Sequence, residues 1–200
     1  MKLYITTTSP FAWMVRIVLH AKNLADRLEI IPAQTRRANS PYYGINPSGR
    51  VPFLILDDGR CFEESQLIIR YLDHLDGAPM LDHPAGEAGW ESRRLEALAR
   101  SMLDGLSVWG RELNRAEDER SPTLIKHERA RAGRMAELWE GEIGNPLMTG
   151  SLNMATITLT CALNYDRRIP GFNWRDDHPR LAAWAAKMDE RPAIRETWID

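Results

Sequence analysis

Patterns that read as β-strand occur only up to about residue 75 of this 200-residue chain, and that break constrains the fold more than any single motif. Residues 2–6 read as a short first strand. The Thr7-Thr8-Ser9-Pro10 loop ends in a helix start, with Ser9 as N-cap and Pro10 at the first helical position, where a missing N–H costs nothing. Phe11, Val15, Val18 and Leu19 keep one face apolar to about Lys22, and residues 28–31 form a second strand stopped by Pro32. Strand, helix, strand at this spacing is a βαβ unit, whose crossover makes the two strands parallel. From Ala33 to Ser48 the residues Arg36, Arg37, Pro41 and Pro47 break any long element.

Residues 46–65, NPSGRVPFLILDDGRCFEES, read as turn, strand, tight turn, strand and helix start. Pro52 cannot donate to a ladder, so it belongs at a strand's beginning or edge. Asp58-Gly59 is the hairpin signal between Phe53-Leu54-Ile55-Leu56 and Cys61-Phe62. Ser65 precedes the apolar run Leu67, Ile68, Tyr71, Leu72 and Leu75, and opens a helix whose unpaired N–H groups form an anion site. A short peptide with a carboxylate fits such a place. Residues 1–76 are thus expected to form a βαβ-ββα domain: a mixed four-stranded sheet with helices on both sides.

A linker by composition follows over 77–85, and everything from 86 to 200 reads as helix. Leu95, Leu98, Met102, Leu106 and Trp109 mark one face of a long helix. A second runs from about Thr123, after Ser121-Pro122, through Met135, Leu138 and Trp139 to near Gly144. A third starts at Asn153, with Leu152 and Ile157 as a hydrophobic staple. Asp177-His178-Pro179 starts a fourth, with Leu181, Trp184 and Met188 inward.

A formal charge of −2 gives no overall field for nucleic acid or an anionic membrane surface. Cys61 and Cys161 form no CxxC and have no nearby His at metal-ligand spacing, so they read as semi-buried reduced thiols and no metal site is expected. With neither a leader pattern nor an apolar stretch of spanning length, the expected location is the cytoplasm, with no membrane association.

The βαβ-ββα module, Ser9-Pro10 at the first helix start, Asn46-Pro47-Ser48-Gly49-Arg50-Val51-Pro52, Glu64-Ser65 at a later helix start and the all-helical remainder together resemble the glutathione transferase superfamily. The likeness continues through Leu152-Asn153-Met154-Ala155-Thr156-Ile157, His178-Pro179-Arg180-Leu181-Ala182-Ala183-Trp184 and Arg191-Pro192, which are similar to small bacterial members. The resemblance implies a thioredoxin-like N-terminal domain with a cis Val51-Pro52 bond, glutathione as co-substrate, a small hydrophobic electrophile as acceptor, a homodimer and a role in detoxification.

It also implies residue roles. The backbone of Val51 would pair with the cysteinyl unit of glutathione, Glu64 would accept from the γ-glutamyl ammonium, Ser65 and the helix start would hold the γ-glutamyl carboxylate, and Arg50 would lie near the glycyl carboxylate. Simpler readings exist: Glu64 as a dipole-compensating acid, Ser65 as a plain N-cap, Arg50 as a solvated charge. Ser9 would donate to the glutathione thiolate, with Thr8 as the alternative, and no cysteine lies between Thr6 and Phe11 to support disulfide exchange. Phe11, Trp13, Met102 and Trp109 are candidates for the acceptor pocket, although aromatic residues at helical spacing usually form core. Thr156 stands where many members carry Asp, so the return bond of a capping box at Asn153 is expected to be weak or absent. The two functional readings are a glutathione transferase and a non-catalytic glutathione-binding or protein-interaction module.

Overall fold

The computed structural model describes residues 1–198, which form two compact units: Met1–Asp82 with the segment from Pro192 onward, and His83–Arg191.

The first unit contains β1 (Lys2–Ile5), α1 (Pro10–Ala21), β2 (Glu29–Pro32), β3 (Phe53–Ile55), β4 (Cys61–Glu63) and α2 (Ser65–Asp73). The sheet order is β2-β1-β3-β4, with β1 parallel to β2 and antiparallel to β3, and β3 antiparallel to β4. β2 ends at Pro32, which still pairs with Ile5; an edge strand tolerates it because the missing N–H faces outward. Gly59, at φ 85°, closes the β3–β4 turn in the left-handed region that glycine enters without strain.

Alternation along β1 sends Leu3 and Ile5 into the core, where Met14, Val15, Ile17 and Val18 of α1 and Ile68, Ile69 and Leu72 of α2 are also buried. The two helices pack along each other, so they share a face of the sheet instead of covering both. On the Tyr4 face lies Tyr42, from a short 3-10 turn over Pro41–Gly44, with ring centroids 5.6 Å apart. The irregular composition of residues 33–48 hid this second layer, because one 3-10 turn is too short to show a period.

Lys22, the C-cap of α1, and the end of α2 meet at Asp73. This carboxylate is 1% exposed and accepts from the N–H groups of Met80 (3.1 Å) and Leu81 (2.8 Å), with the Lys22 ammonium 3.4 Å away. The stretch that reads as a linker is therefore bonded into the first unit as far as Leu81.

The C-terminal segment departs from the expected boundary at 86–200. The last helical turn, α8 (Pro192–Arg195), belongs to the first unit, held by Trp13–Thr197 and His20–Glu196 contacts to α1.

The second unit holds α3 (Glu87–Leu113), α4 (Pro122–Glu142), the single turn α5 (Pro146–Thr149), α6 (Met154–Leu163) and α7 (Pro179–Asp189). Every residue of α6 is buried, and α3 packs along it. Three threonines are tolerated there because their hydroxyls are bonded: Thr156 donates to the Asn153 carbonyl (2.9 Å), Thr158 to that of Met154 (2.7 Å) and Thr160 to that of Thr156 (2.8 Å).

Two expectations for this unit are corrected. The capping box at α6 is complete: the Asn153 Oδ1 accepts from the Thr156 N–H (3.0 Å), and the Asn153 N–H donates to the Thr156 hydroxyl (2.9 Å). A hydroxyl oxygen replaces the carboxylate. In α4 the buried positions are Glu128, Ala132, Ala136 and Trp139, whereas Met135 is half-buried and Leu138 is 36% exposed. Small alanines share the buried stripe with Trp139, so Met135 and Leu138 mark the wrong one. His178 caps α7 with no side-chain bond; the Glu140 carboxylate does so, accepting from the N–H groups of Arg180 (3.0 Å) and Leu181 (2.8 Å).

Among the described residues no helix is long and apolar enough to cross a membrane. Cys161 is buried and Cys61 is exposed rather than semi-buried.

Candidate active site

Strand register assembles the candidate site. Tyr4, Phe53 and Glu63 lie side by side across β1, β3 and β4. At that one end of the sheet β1 leaves toward Ser9, β3 arrives from Val51-Pro52, and β4 leaves toward Glu64-Ser65. Three stretches distant in sequence thus emerge together.

Ser9 has extended backbone at the start of α1, and its Oγ accepts from the Ala12 N–H at 3.2 Å. The hydroxyl proton has no acceptor among the described residues, so it is available to an anion. Pro10 has no N–H and that of Ala12 is used, so negative charge here relies on the Ser9 hydroxyl and the helix dipole more than on backbone donors. Thr8 is exposed in the preceding loop.

The Val51–Pro52 peptide bond is cis. Val51 is half-buried, and its N–H and C=O bond to no other described residue. Arg50 has an exposed side chain, but its backbone is tightly held: its carbonyl accepts from the Tyr42 hydroxyl (2.6 Å) and the Asn46 side-chain amide (3.0 Å), and its N–H donates to the Ser48 hydroxyl (3.2 Å). Asn46 Oδ1 accepts from the Ser48 N–H (3.1 Å), and Ser48 in turn donates to the Glu63 carboxylate. Gly49, at φ 65°, lets this turn close: a Cβ there would lie 2.5 Å from the Tyr43 ring. Burial pushes the Tyr42 phenol above its ordinary pKa, which keeps it a donor.

Glu64 is the N-cap of α2 at φ 78°, ψ 119°, a region that non-glycine residues rarely occupy. Such a conformation costs on the order of 1–3 kcal/mol and concentrates at functional sites. Its Oε1 accepts from the Ser65 N–H at 2.9 Å while the side chain stays exposed. Ser65 is the first residue of α2 and 1% exposed, so the capping role falls to Glu64.

The acceptor candidates separate. Phe11 is half-buried. Trp13 is 4% exposed, its indole bonded to Thr197 and its ring edge-on to Trp198. Met102 and Trp109 are 1% and 2% exposed, with Trp109 edge-on to Phe172. These three are core side chains, as helical spacing of large apolar residues usually signals.

Tyr42, Asn46, Ser48 and Glu63 are the polar residues that sequence reasoning missed at this end of the sheet. Asn46 and Ser48 stand inside the conspicuous Asn-Pro-Ser-Gly turn, but neither Tyr42 nor Glu63 carries a signal apart from the fold.

A four-stranded β2-β1-β3-β4 sheet with its helix starts gathered at one end, followed by a separate helical unit, defines a thioredoxin-like domain joined to an all-helical one. A family profile described as the glutathione S-transferase N-terminal domain matches residues 8–75. The chain is 30% identical over 201 residues, 98% of each chain, to the uncharacterized GST-like protein YibF of Escherichia coli K12. A glutathione transferase family member from Pseudomonas fluorescens Pf-5, solved with bound glutathione, is similar at 30% identity and a TM-score of 0.88, covering 100% of this chain and 98% of that one. The chain belongs to the glutathione transferase superfamily. Residual similarity extends to glutaredoxin 2 of E. coli, 33% identical over 81 residues, 40% of this chain and 36% of that one.

Proposed function

We propose that this protein is a cytoplasmic, homodimeric glutathione transferase that presents the thiolate of glutathione to a small hydrophobic electrophile in detoxification. The observation that carries the reading is the shared sheet end: a Ser9 hydroxyl proton and a Val51 backbone that are both without partners among the described residues, and the Glu64-Ser65 helix start, all emerge there. Val51 pairs with the cysteinyl backbone, Glu64 with the γ-glutamyl ammonium, Ser65 and α2 with the γ-glutamyl carboxylate, and Arg50 with the glycyl carboxylate. Pro52 shapes the strand entry beside them.

A free thiol with a pKa of ~8.5 is only a few per cent thiolate at neutral pH. Lowering it by ~2 units makes thiolate the majority form. Ser9 donates to the sulfur, Thr8 being the alternative donor, while the α1 dipole favours the charge. The thiol proton passes to solvent, the thiolate forms a carbon–sulfur bond at the electrophile, and the leaving group departs with the bonding pair. With serine and no cysteine between Thr6 and Phe11, glutaredoxin-type exchange through a protein thiol has no nucleophile here.

The test is conjugation of glutathione to a generic aromatic halide and to further electrophiles, comparing wild type with Ser9→Ala. A wild-type rate above buffer that falls in the variant supports the reading; no rate above buffer with any electrophile overturns it. The burial of Trp13, Met102 and Trp109 favours a second reading, a glutathione-binding module without turnover, because it leaves Phe11 alone of the four acceptor candidates near the surface. Retention on immobilised glutathione that is lost in Glu64→Ala or Ser65→Ala, without turnover, selects that reading.

A further inference from the structure

We propose that Tyr42 and Asn46 are positioning residues that aim the Val51 N–H at the tripeptide, acting through the Arg50 carbonyl. The inference rests on the glutathione-site reading above and concerns how that site is held.

The Arg50 carbonyl and the Val51 N–H belong to one planar peptide unit, and in a trans peptide they point in opposite directions. Among the described residues the Val51–Pro52 bond is the cis exception, so the Arg50–Val51 unit is trans. Whatever fixes the carbonyl therefore fixes the amide. Two donors converge on it: the Tyr42 hydroxyl at 2.6 Å and the Asn46 Nδ2 at 3.0 Å. Both side chains are buried, at 3% and 2% exposure, so water does not readily replace either. Tyr42 is itself fixed against Tyr4 of the sheet, and Asn46 by its second bond to the Ser48 N–H. The Arg50 N–H donates to Ser48, which bonds to Glu63, the residue before Glu64. The peptide plane that carries the Val51 amide is thus tied to the sheet on one side and to the γ-glutamyl half of the site on the other.

This arrangement explains why a solvent-facing loop residue such as Arg50 has both backbone groups bonded while Val51, next to it, has neither bonded among the described residues. An amide held in its bonding direction before the ligand arrives spares the entropy of ordering it on binding.

The experiment measures glutathione affinity by calorimetry, the KM for glutathione and kcat, and melting temperature, for wild type, Tyr42→Phe, Asn46→Asp and the double variant. Tyr42→Phe keeps the ring and removes one donor; Asn46→Asp keeps the acceptor for Ser48 and removes the other. Each single variant is expected to raise the glutathione Kd and KM about threefold to tenfold, a typical hydrogen bond's worth of fixation, with kcat at saturating glutathione little changed. The double variant should lose more than either. A glutathione Kd within twofold of wild type in the double variant overturns the proposal while leaving the site reading intact. So does weaker binding that only tracks a fall in melting temperature. A wild-type protein that does not bind glutathione overturns both.

Discussion

The indole N–H of Trp13 on α1 donates to the hydroxyl of Thr197, 184 residues further along the chain, across 2.9 Å. That contact, with Trp198 edge-on to the Trp13 ring at 4.7 Å, returns the C-terminal segment to the unit that carries the candidate site. Thr197→Val leaves a buried indole N–H without its acceptor and should cost about 1–3 kcal/mol in urea denaturation. Thr197→Ser keeps the oxygen and should retain most of that stability. Equal midpoints for Thr197→Val and wild type would show that the contact contributes nothing.

The complete capping box makes Asn153 and Thr156 a coupled pair. Asn153→Ala should destabilise the protein by about 1–2 kcal/mol, at the upper end for a cap because α6 is wholly buried. Thr156→Val should also destabilise, by removing the acceptor for the Asn153 N–H. Because both substitutions dissolve the same motif, the double variant should lose less than the sum. A melting temperature unchanged by Asn153→Ala argues against the box.

Lys22 bridges α1 to the end of α2, donating to Asp76 at 2.9 Å and to the Ala78 carbonyl at 2.6 Å. Burial pulls the ammonium toward a lower pKa, but the Asp76 hydrogen bond and the charges of Asp73 and Asp76 outweigh it, and the pKa is raised. The Lys22 and Ala78 donors hold the Asp76 carboxyl below its ordinary 3.8. A raised ammonium stabilises the fold below its unfolded pKa of ~10.4, and that stability is lost as pH rises through the folded value. A lowered carboxyl stabilises above 3.8, and that stability is lost as pH falls through its folded value. The melting-temperature gap between wild type and Lys22→Met should therefore be widest between these limits and shrink as pH drops below about 4. A gap independent of pH would mean that packing of the lysine stem, not its charge, is what matters.

Much of this architecture is legible in the residues because local physics dictates it. Ser9-Pro10, Asp58-Gly59 and Asn153 each carry turn or cap chemistry that tertiary contacts do not override, and their elements fall within a residue or two of expectation. The misreadings share a cause. The burial of Trp13, the stripe on α4 and the placement of residues 192–198 depend on which neighbour arrives from far along the chain, and a periodic pattern carries no such information. Among the site residues, Val51 and Glu64-Ser65 stand out through the motifs that contain them. Tyr42 reaches the Arg50 carbonyl only because a 3-10 turn folds beneath the sheet.

Activation of the glutathione thiol at Ser9 is read from the pKa of that thiol in the bound complex, followed by thiolate ultraviolet absorbance as pH is varied. The expected value is ~2 units below the free thiol's ~8.5 in wild type, moving back toward the free value in Ser9→Ala. A bound thiol that titrates like free glutathione in wild type, or a lowered value unaffected by Ser9→Ala, would contradict it.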